Sequence, residues 1–169
     1  MVDAMANDPN WRLPVVPTFT LESPDFADGE RLPDWARADG GNRAPTLRWS
    51  GAPDGTASYV VSVFDPDAPT GSGFWHFAAY NLPADTTELV NAELPEAAVV
   101  VKNELGQYAF MGAAPPPGDG EHRYVFTVSA LSAPIEIPAD ATPAVLGFTL
   151  RGSLLARAQI IGTQETPAA

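Results

Sequence analysis

The chain has 169 residues, 45% of them hydrophobic, no cysteine, and 21 acidic against 9 basic residues for a net charge of −12. That length is most simply one domain, able to bury about 70% of the surface its unfolded form exposes. The lack of cysteine excludes disulfides, thiolate metal sites and cysteine nucleophiles, and the charge argues against nucleic acid and anionic lipid surfaces, whose phosphates need Lys and Arg.

No apolar run approaches the ~20 residues of a membrane-spanning helix, which argues against integral membrane association. Residues 1 to 13 read as a loosely held tail without the features of a signal peptide, so a cytoplasmic location is expected. Eighteen prolines and 14 glycines among short β-branched and aromatic runs point to a mainly β body.

In chain order, Thr18 to Leu21 predicts a first strand, and residues 34 to 42 a long surface loop. Thr46 to Trp49 predicts a second strand, closed by the turn cluster Ser50 to Gly55. Ser58 to Asp65 is apolar on both faces, Val61, Val63 and Asp65 on one and Val60, Ser62 and Phe64 on the other, so it belongs in a sheet centre. Asp65-Pro66-Asp67-Ala68-Pro69 breaks it, because proline cannot donate to a ladder. Phe74 to Asn81 predicts the next strand, with strict alternation placing Phe74, His76, Ala78 and Tyr80 on one face.

Residues 85 to 96 read as an acidic loop with room for a helical turn, and Ala98 to Lys102 as a short strand. Gly112 to Gly120 is a Pro/Gly loop that can be neither helix nor central strand. His122 to Leu131 predicts a second strong strand, with His122, Tyr124, Phe126 and Val128 on one face and Arg123 on the other. Thr142-Pro143 is an N-cap followed by proline at the first helical position. Leu146, Leu150, Leu154 and Ala158 recur every four residues, which predicts a helix from about Pro143 to Arg157. Ala158 to Thr163 is extended, and residues 165 to 169 fray. The chain thus reads as one domain over 14–164, a two-sheet antiparallel β-sandwich with a C-terminal helix.

Both histidines border Pro/Gly turns on strands built for a core. Each has a bland alternative: a satisfied core histidine for His76 and His122, an Asp turn bonding nearby N–H groups for Asp65 and Asp67, and a structural ion pair for Arg123. Two imidazoles, two carboxylates and a tyrosine fit three chemistries. Two His and one Asp can hold a divalent metal, although no His-x-x-His spacing occurs. They can perform acid/base or metal-dependent hydrolysis, although no nucleophile elbow is present. They can also bind a small anion through imidazolium, Tyr hydroxyl and loop N–H donors near Gly112.

Asp65-Pro66-Asp67-Ala68-Pro69, Phe74-Trp75-His76-Phe77, and Pro115-Pro116-Pro117-Gly118 with His122-Arg123-Tyr124 closely resemble the phosphatidylethanolamine-binding protein family, in its bacterial, Raf kinase inhibitor-like branch. The similarity runs from about Phe19 to Thr163, including Asp39-Gly40 with Asn42, Pro45 and Trp49, and Ile160-Ile161-Gly162-Thr163. It implies a β-sandwich of Greek-key character with terminal helices and a small pocket for phosphate-like anions, phosphate or a phosphorylated headgroup. It implies a non-catalytic protein needing no cofactor, a regulatory role toward a kinase or protease, and a homodimer. The ligand-binding residues so implied are Asp65, Asp67, Pro69, His76, Gly112, His122 and Tyr124, with Phe74 or Trp75 as an aromatic wall. A cis peptide bond is expected among residues 65–69 or 115–117. Ala114 departs from the family pattern, where a second glycine is common.

Overall fold

A computed structural model describes residues 8–169. The expectation of a loose tail over residues 1–7 lies outside them. Among the described residues, eight strands form two antiparallel sheets. The smaller has the order β1-β2-β5, from Thr20–Glu22, Leu47–Ser50 and Glu88–Leu89. The larger has the order β6-β4-β3-β7-β8, from Val99–Val101, Phe74–Pro83, Ser58–Asp65, His122–Leu131 and Leu154–Gln164. After the β3-β4 hairpin the chain makes a long excursion before β7 returns to the free side of β3, a Greek-key type of return. A short 3₁₀ helix, Asp34–Ala36, sits within the predicted long loop, and the acidic 85–96 segment supplies β5 rather than a helical turn.

β3 is central, as its two apolar faces require. Tyr59, Val61 and Val63 pack between the sheets with Phe126 and Val128 of β7 and Leu47, Trp49 and Leu89 of the small sheet. Val60 faces the other way, into a second cluster with Ala78, Leu131, Leu146 and Leu150. Each such aliphatic side chain contributes roughly 1.5–3 kcal/mol of burial free energy, so β3 cannot slip register without exposing one face.

The helix α1 is shorter than predicted, Pro143–Leu150. Its start follows the expected chemistry: the Thr142 hydroxyl accepts from Val145 N–H at 3.3 Å and Pro143 stands at N1. It stops because residues 151–153 turn, Ser153 N–H bonding to the Leu150 carbonyl, and Leu154 then pairs with Leu131. From Leu154 to Gln164 the chain lies along the whole of β7. The four-residue period was shared by two different elements: Leu146 and Leu150 are buried by the helix, whereas Ala156, Ala158 and Ile160 are buried by strand alternation. A long ladder outweighs the weak helix propensity of a segment containing two glycines.

Both ends of the described chain are tied to the sheet. Asn10 and Gln159 exchange amide hydrogen bonds of 2.6 and 3.1 Å. Residues 165 and 166, expected to fray, are held by Arg37, which donates to the Glu165 carbonyl at 3.1 Å and to the Thr166 hydroxyl at 2.8 Å. Gly118 N–H also reaches the Thr166 carbonyl at 2.9 Å.

Candidate functional site

Asp65 ends β3, and the two histidine strands flank it, so the topology brings together groups far apart in sequence. Asp65 divides its work between its oxygens. Oδ1 accepts from the N–H groups of Asp67 and Ala68 at 2.8 and 3.0 Å, closing the turn, while Oδ2 lies 2.8 Å from His122 Nδ1. The turn reading of this residue holds, and its second oxygen also joins it to His122.

His122 is 1% exposed and its second nitrogen, Nε2, lies 2.7 Å from Asp119 Oδ2. A carboxylate oxygen can only accept, so an imidazole bonded to one on each side carries both protons and is a cation. Burial opposes that charge, but the hydrogen bonds to Asp65 and Asp119 outweigh it and raise the pKa above its ordinary value.

A β-bulge aims His76 into the site. Val63 pairs with Phe77 and Phe64 with Trp75, so His76 is the extra residue between two consecutive pairs. Strict alternation is broken there, which corrects the expectation that His76 shares a face with Ala78 and Tyr80. Its ring meets Tyr124 edge-on with centroids 5.2 Å apart, while Ala78 and Tyr80 pack on the opposite side of the sheet. The Nδ1–H of His76 donates to the Met111 carbonyl at 2.9 Å, and Met111 N–H donates to the His76 carbonyl at 2.9 Å. Burial is the main reason that the His76 pKa is lowered, so this imidazole is neutral.

Tyr124 shares its face of β7 with His122, is 1% exposed, and its hydroxyl has no hydrogen-bond partner. The Ala114 N–H is near enough to favour the phenolate slightly, but it closes no bond, and burial pushes the phenol pKa far up. A buried, unpartnered hydroxyl costs about 1–3 kcal/mol, and such groups mark places where another polar atom is accommodated.

Other predicted residues have different jobs. Asp67 holds Arg123: Oδ2 accepts from the Arg123 backbone N–H at 2.9 Å and from Nε at 2.8 Å, and Oδ1 from Nη2 at 2.8 Å. The fork ties the turn after β3 to β7, and the structural reading of Arg123 stands with an aspartate as its partner. Gly112 offers no N–H to a ligand, because it donates to Asn42 Oδ1 at 2.6 Å. Its role is close packing: a Cβ there would lie 2.5 Å from the Ala36 carbonyl oxygen and 2.6 Å from Ala38 N. Pro69 is exposed on the turn. Of the two aromatic candidates, Phe74 lies on the His76 side, its ring 5.0 Å from the imidazole, whereas Trp75 lies against Phe64 at 4.4 Å on the other face of the sheet. All peptide bonds of the described residues are trans, which corrects the expected cis bond; the Asp65 side chain shapes the turn instead.

Residues that sequence reasoning passed over complete the surroundings. Asp119 is three positions before His122 in a loop of prolines and glycines, where no periodicity marks an inward carboxylate. Arg37 donates from Nε to Asp39 Oδ1 at 2.9 Å and from Nη1 to the Gln164 side-chain Oε1 at 3.0 Å, and its charge reaches Tyr124. Among the described residues no three His, Asp or Glu side chains converge as metal ligands.

A two-sheet sandwich in which an Asp-His-Asp chain runs from the buried Asp65 to the exposed Asp119, beside a second histidine and an unpartnered tyrosine, defines a class of β-proteins. Residues 22–165 match the family described as phosphatidylethanolamine-binding protein, and the chain belongs to that family. It is 44% identical over 160 residues to the UPF0098 protein YbcL of Escherichia coli K12, covering 87% of each chain. It is 41% identical over 152 residues to YbhB of the same organism, covering 83% of this chain and 96% of YbhB. The crystal structure of E. coli YbcL superposes with a TM-score of 0.83 at 40% identity, covering 87% of this chain and 98% of that one. Another relative, 31% identical over 90% of this chain and 75% of its own length, is named putative lipoprotein LppC of Mycobacterium tuberculosis. No helix among the described residues is long and apolar enough to cross a membrane.

Proposed function

We propose that the Asp65/His76/His122/Tyr124 pocket binds a small phosphate-type anion without chemical turnover, and that the anion takes the place of the Asp119 carboxylate against His122 Nε2–H. The observation that carries this reading is the Asp119–His122 contact itself. A partly exposed carboxylate already occupies the acceptor position of a buried imidazolium, two residues along β7 from Tyr124, whose hydroxyl is unpartnered. Residues i and i+2 of a strand project to one side, so the two donors converge on one ligand. Charge-assisted bonds of this kind are roughly twice as strong as neutral ones. Asp65, held on the far side of His122, keeps the ring charged and oriented.

Hydrolysis is less well supported by the same geometry. Both nitrogens of His122 face carboxylates and His76 Nδ1 is committed to Met111, so neither imidazole is poised beside a nucleophile. Calorimetric titration with inorganic phosphate and with phosphoethanolamine between pH 5.5 and 8 tests the proposal. Binding that is lost in His122→Ala and weakened in Tyr124→Phe is expected. Heat-silent titrations at every pH, or full affinity in His122→Ala, would overturn it.

A further inference from the structure

The face of the large sheet turned away from the histidines carries a second feature. α1 and residues 9–13 cover it incompletely, leaving a groove of about 490 Å³ over β3, β4, β7 and β8. That volume lies within the ~300–1,000 Å³ typical of small-ligand sites. Its floor is apolar, built from Val60, Phe64, Trp75, Val125 and Leu146.

The groove also collects cations. Arg12, Arg151 and Arg157 line it, three of the nine basic residues in a chain of net charge −12. Arg31, Arg37, Arg48 and Arg123 each hold a carboxylate. Among the described residues, none of the three groove arginines forms an ion pair. Arg157 is half-buried, and burial alone lowers its pKa; its guanidinium reaches only the Pro14 carbonyl, at 3.4 Å. Arg151 lies over the ring of Phe148, 4.1 Å from its centroid, and Phe148 is 69% exposed at the groove mouth. A partly desolvated guanidinium without a carboxylate, the case of Arg157, gains from an anion supplied from outside, and the exposed Arg12 and Arg151 stand at the same groove. Arg43, which lies over the Trp35 ring elsewhere, also has no ion pair among the described residues, but only the groove brings three such arginines to one apolar surface, a local inversion of charge in an acidic protein.

We infer that this groove is a second binding site, for a single-chain anionic amphiphile of the long-chain carboxylate class. The hydrocarbon chain lies on the apolar floor and the carboxylate meets the arginines. The site is separated from the His122 pocket by the thickness of the sheet, and the inference does not rest on the reading of that pocket.

Calorimetric titration of the full chain with decanoate below its micelle concentration tests it, with decanol and decyltrimethylammonium as neutral and cationic probes. Decanoate is expected to bind at one per chain, at least tenfold more tightly than decanol, with no binding of the cation. Arg157→Gln should weaken decanoate at least fivefold. Gly147 lines the groove with open space where a Cβ would stand, so Gly147→Phe fills it without a backbone clash and should abolish binding. Phosphate titration of both variants should be unchanged, which separates this site from the histidine pocket. Equal affinity for decanol, or no effect of either substitution, would overturn the inference. So would a dimer in sedimentation equilibrium that Gly147→Phe disperses while decanoate fails to bind, since the groove would then be the seat of a second copy.

Discussion

The carboxylate of Asp119 lies 2.7 Å from Nε2 of His122, so the protein supplies its own anion to a buried imidazolium. Asp119 is partly exposed, whereas Asp65 on the other nitrogen is buried. Removing the outer charge while keeping an acceptor should free the site for an external oxyanion. Asp119→Asn is expected to bind phosphate about tenfold more tightly at pH 6.5, a gain of about 1.4 kcal/mol. Weaker binding by calorimetry would show that Asp119 supports the ligand rather than competing with it.

The two histidines titrate in opposite directions from the ordinary value near 6.5. His122 has a raised folded-state pKa, so its stabilisation is complete below about pH 6.5 and is lost as pH rises through the raised value. His76 has a lowered pKa, so the folded state resists its protonation and stability falls as pH drops from about 6.5 toward that value. Urea midpoints measured from pH 5 to 8.5 should therefore peak near neutrality. His76→Asn should flatten the acid limb only, and a loss confined to the alkaline limb would contradict the assignment. Phosphate affinity should follow His122, holding above pH 6.5 and declining only as pH rises through its raised pKa.

Tyr124 trades stability for a binding group. Its hydroxyl is buried without a partner, so Tyr124→Phe should leave the ligand-free protein as stable or up to about 1–2 kcal/mol more stable. Phosphate affinity should fall about tenfold in the same variant. Thermal unfolding with calorimetry reads both quantities. A large loss of stability would show that the hydroxyl has a structural bond.

Gly112 is required by packing. With backbone atoms of residues 36–38 within 2.7 Å of an added Cβ, Gly112→Ala must displace the 111–114 loop, at a cost of roughly 1–3 kcal/mol. The displaced loop carries Met111, the partner of His76, so the His76 pH dependence should shift as well. An unaltered denaturation midpoint would refute the close approach.

The Asp67–Arg123 fork is half-buried, with side-chain exposures of 19% and 35%, so solvent screening limits its worth. Arg123→Lys, which keeps the charge but loses the planar fork, should cost about 1 kcal/mol in denaturant titration. A cost as large as that of Arg123→Ala would mean that the planar geometry, and not the charge, carries the interaction.

Much of the architecture was legible because it rests on local chemistry. The alternation of Ser58 to Asp65 and His122 to Leu131 is readable with the bounds the strands have, since the first is largely apolar on both faces and the second is long and apolar on the face of Tyr124, Phe126 and Val128. The start of α1 was legible from Thr142-Pro143, and the proximity of Asp65 to His122 and of His76 to Tyr124 from the motifs around them. The end of α1 was not, because a four-residue period fits two turns of helix followed by an alternating strand, and only pairing with β7 decides between them.

What the sequence by itself determined was which residues are apolar at strand period, where proline and glycine end each run, and which ionisable groups stand at those ends. Tertiary structure alone decided how those groups are used. A one-residue bulge opposite Val63 and Phe64 turns His76 toward Tyr124 and leaves Trp75 on the other face, because an unpaired residue shifts the parity of every side chain beyond it. The return of β7 beside β3 places His122 between two carboxylates 57 and three positions away in sequence, a distance relation that no linear spacing contains.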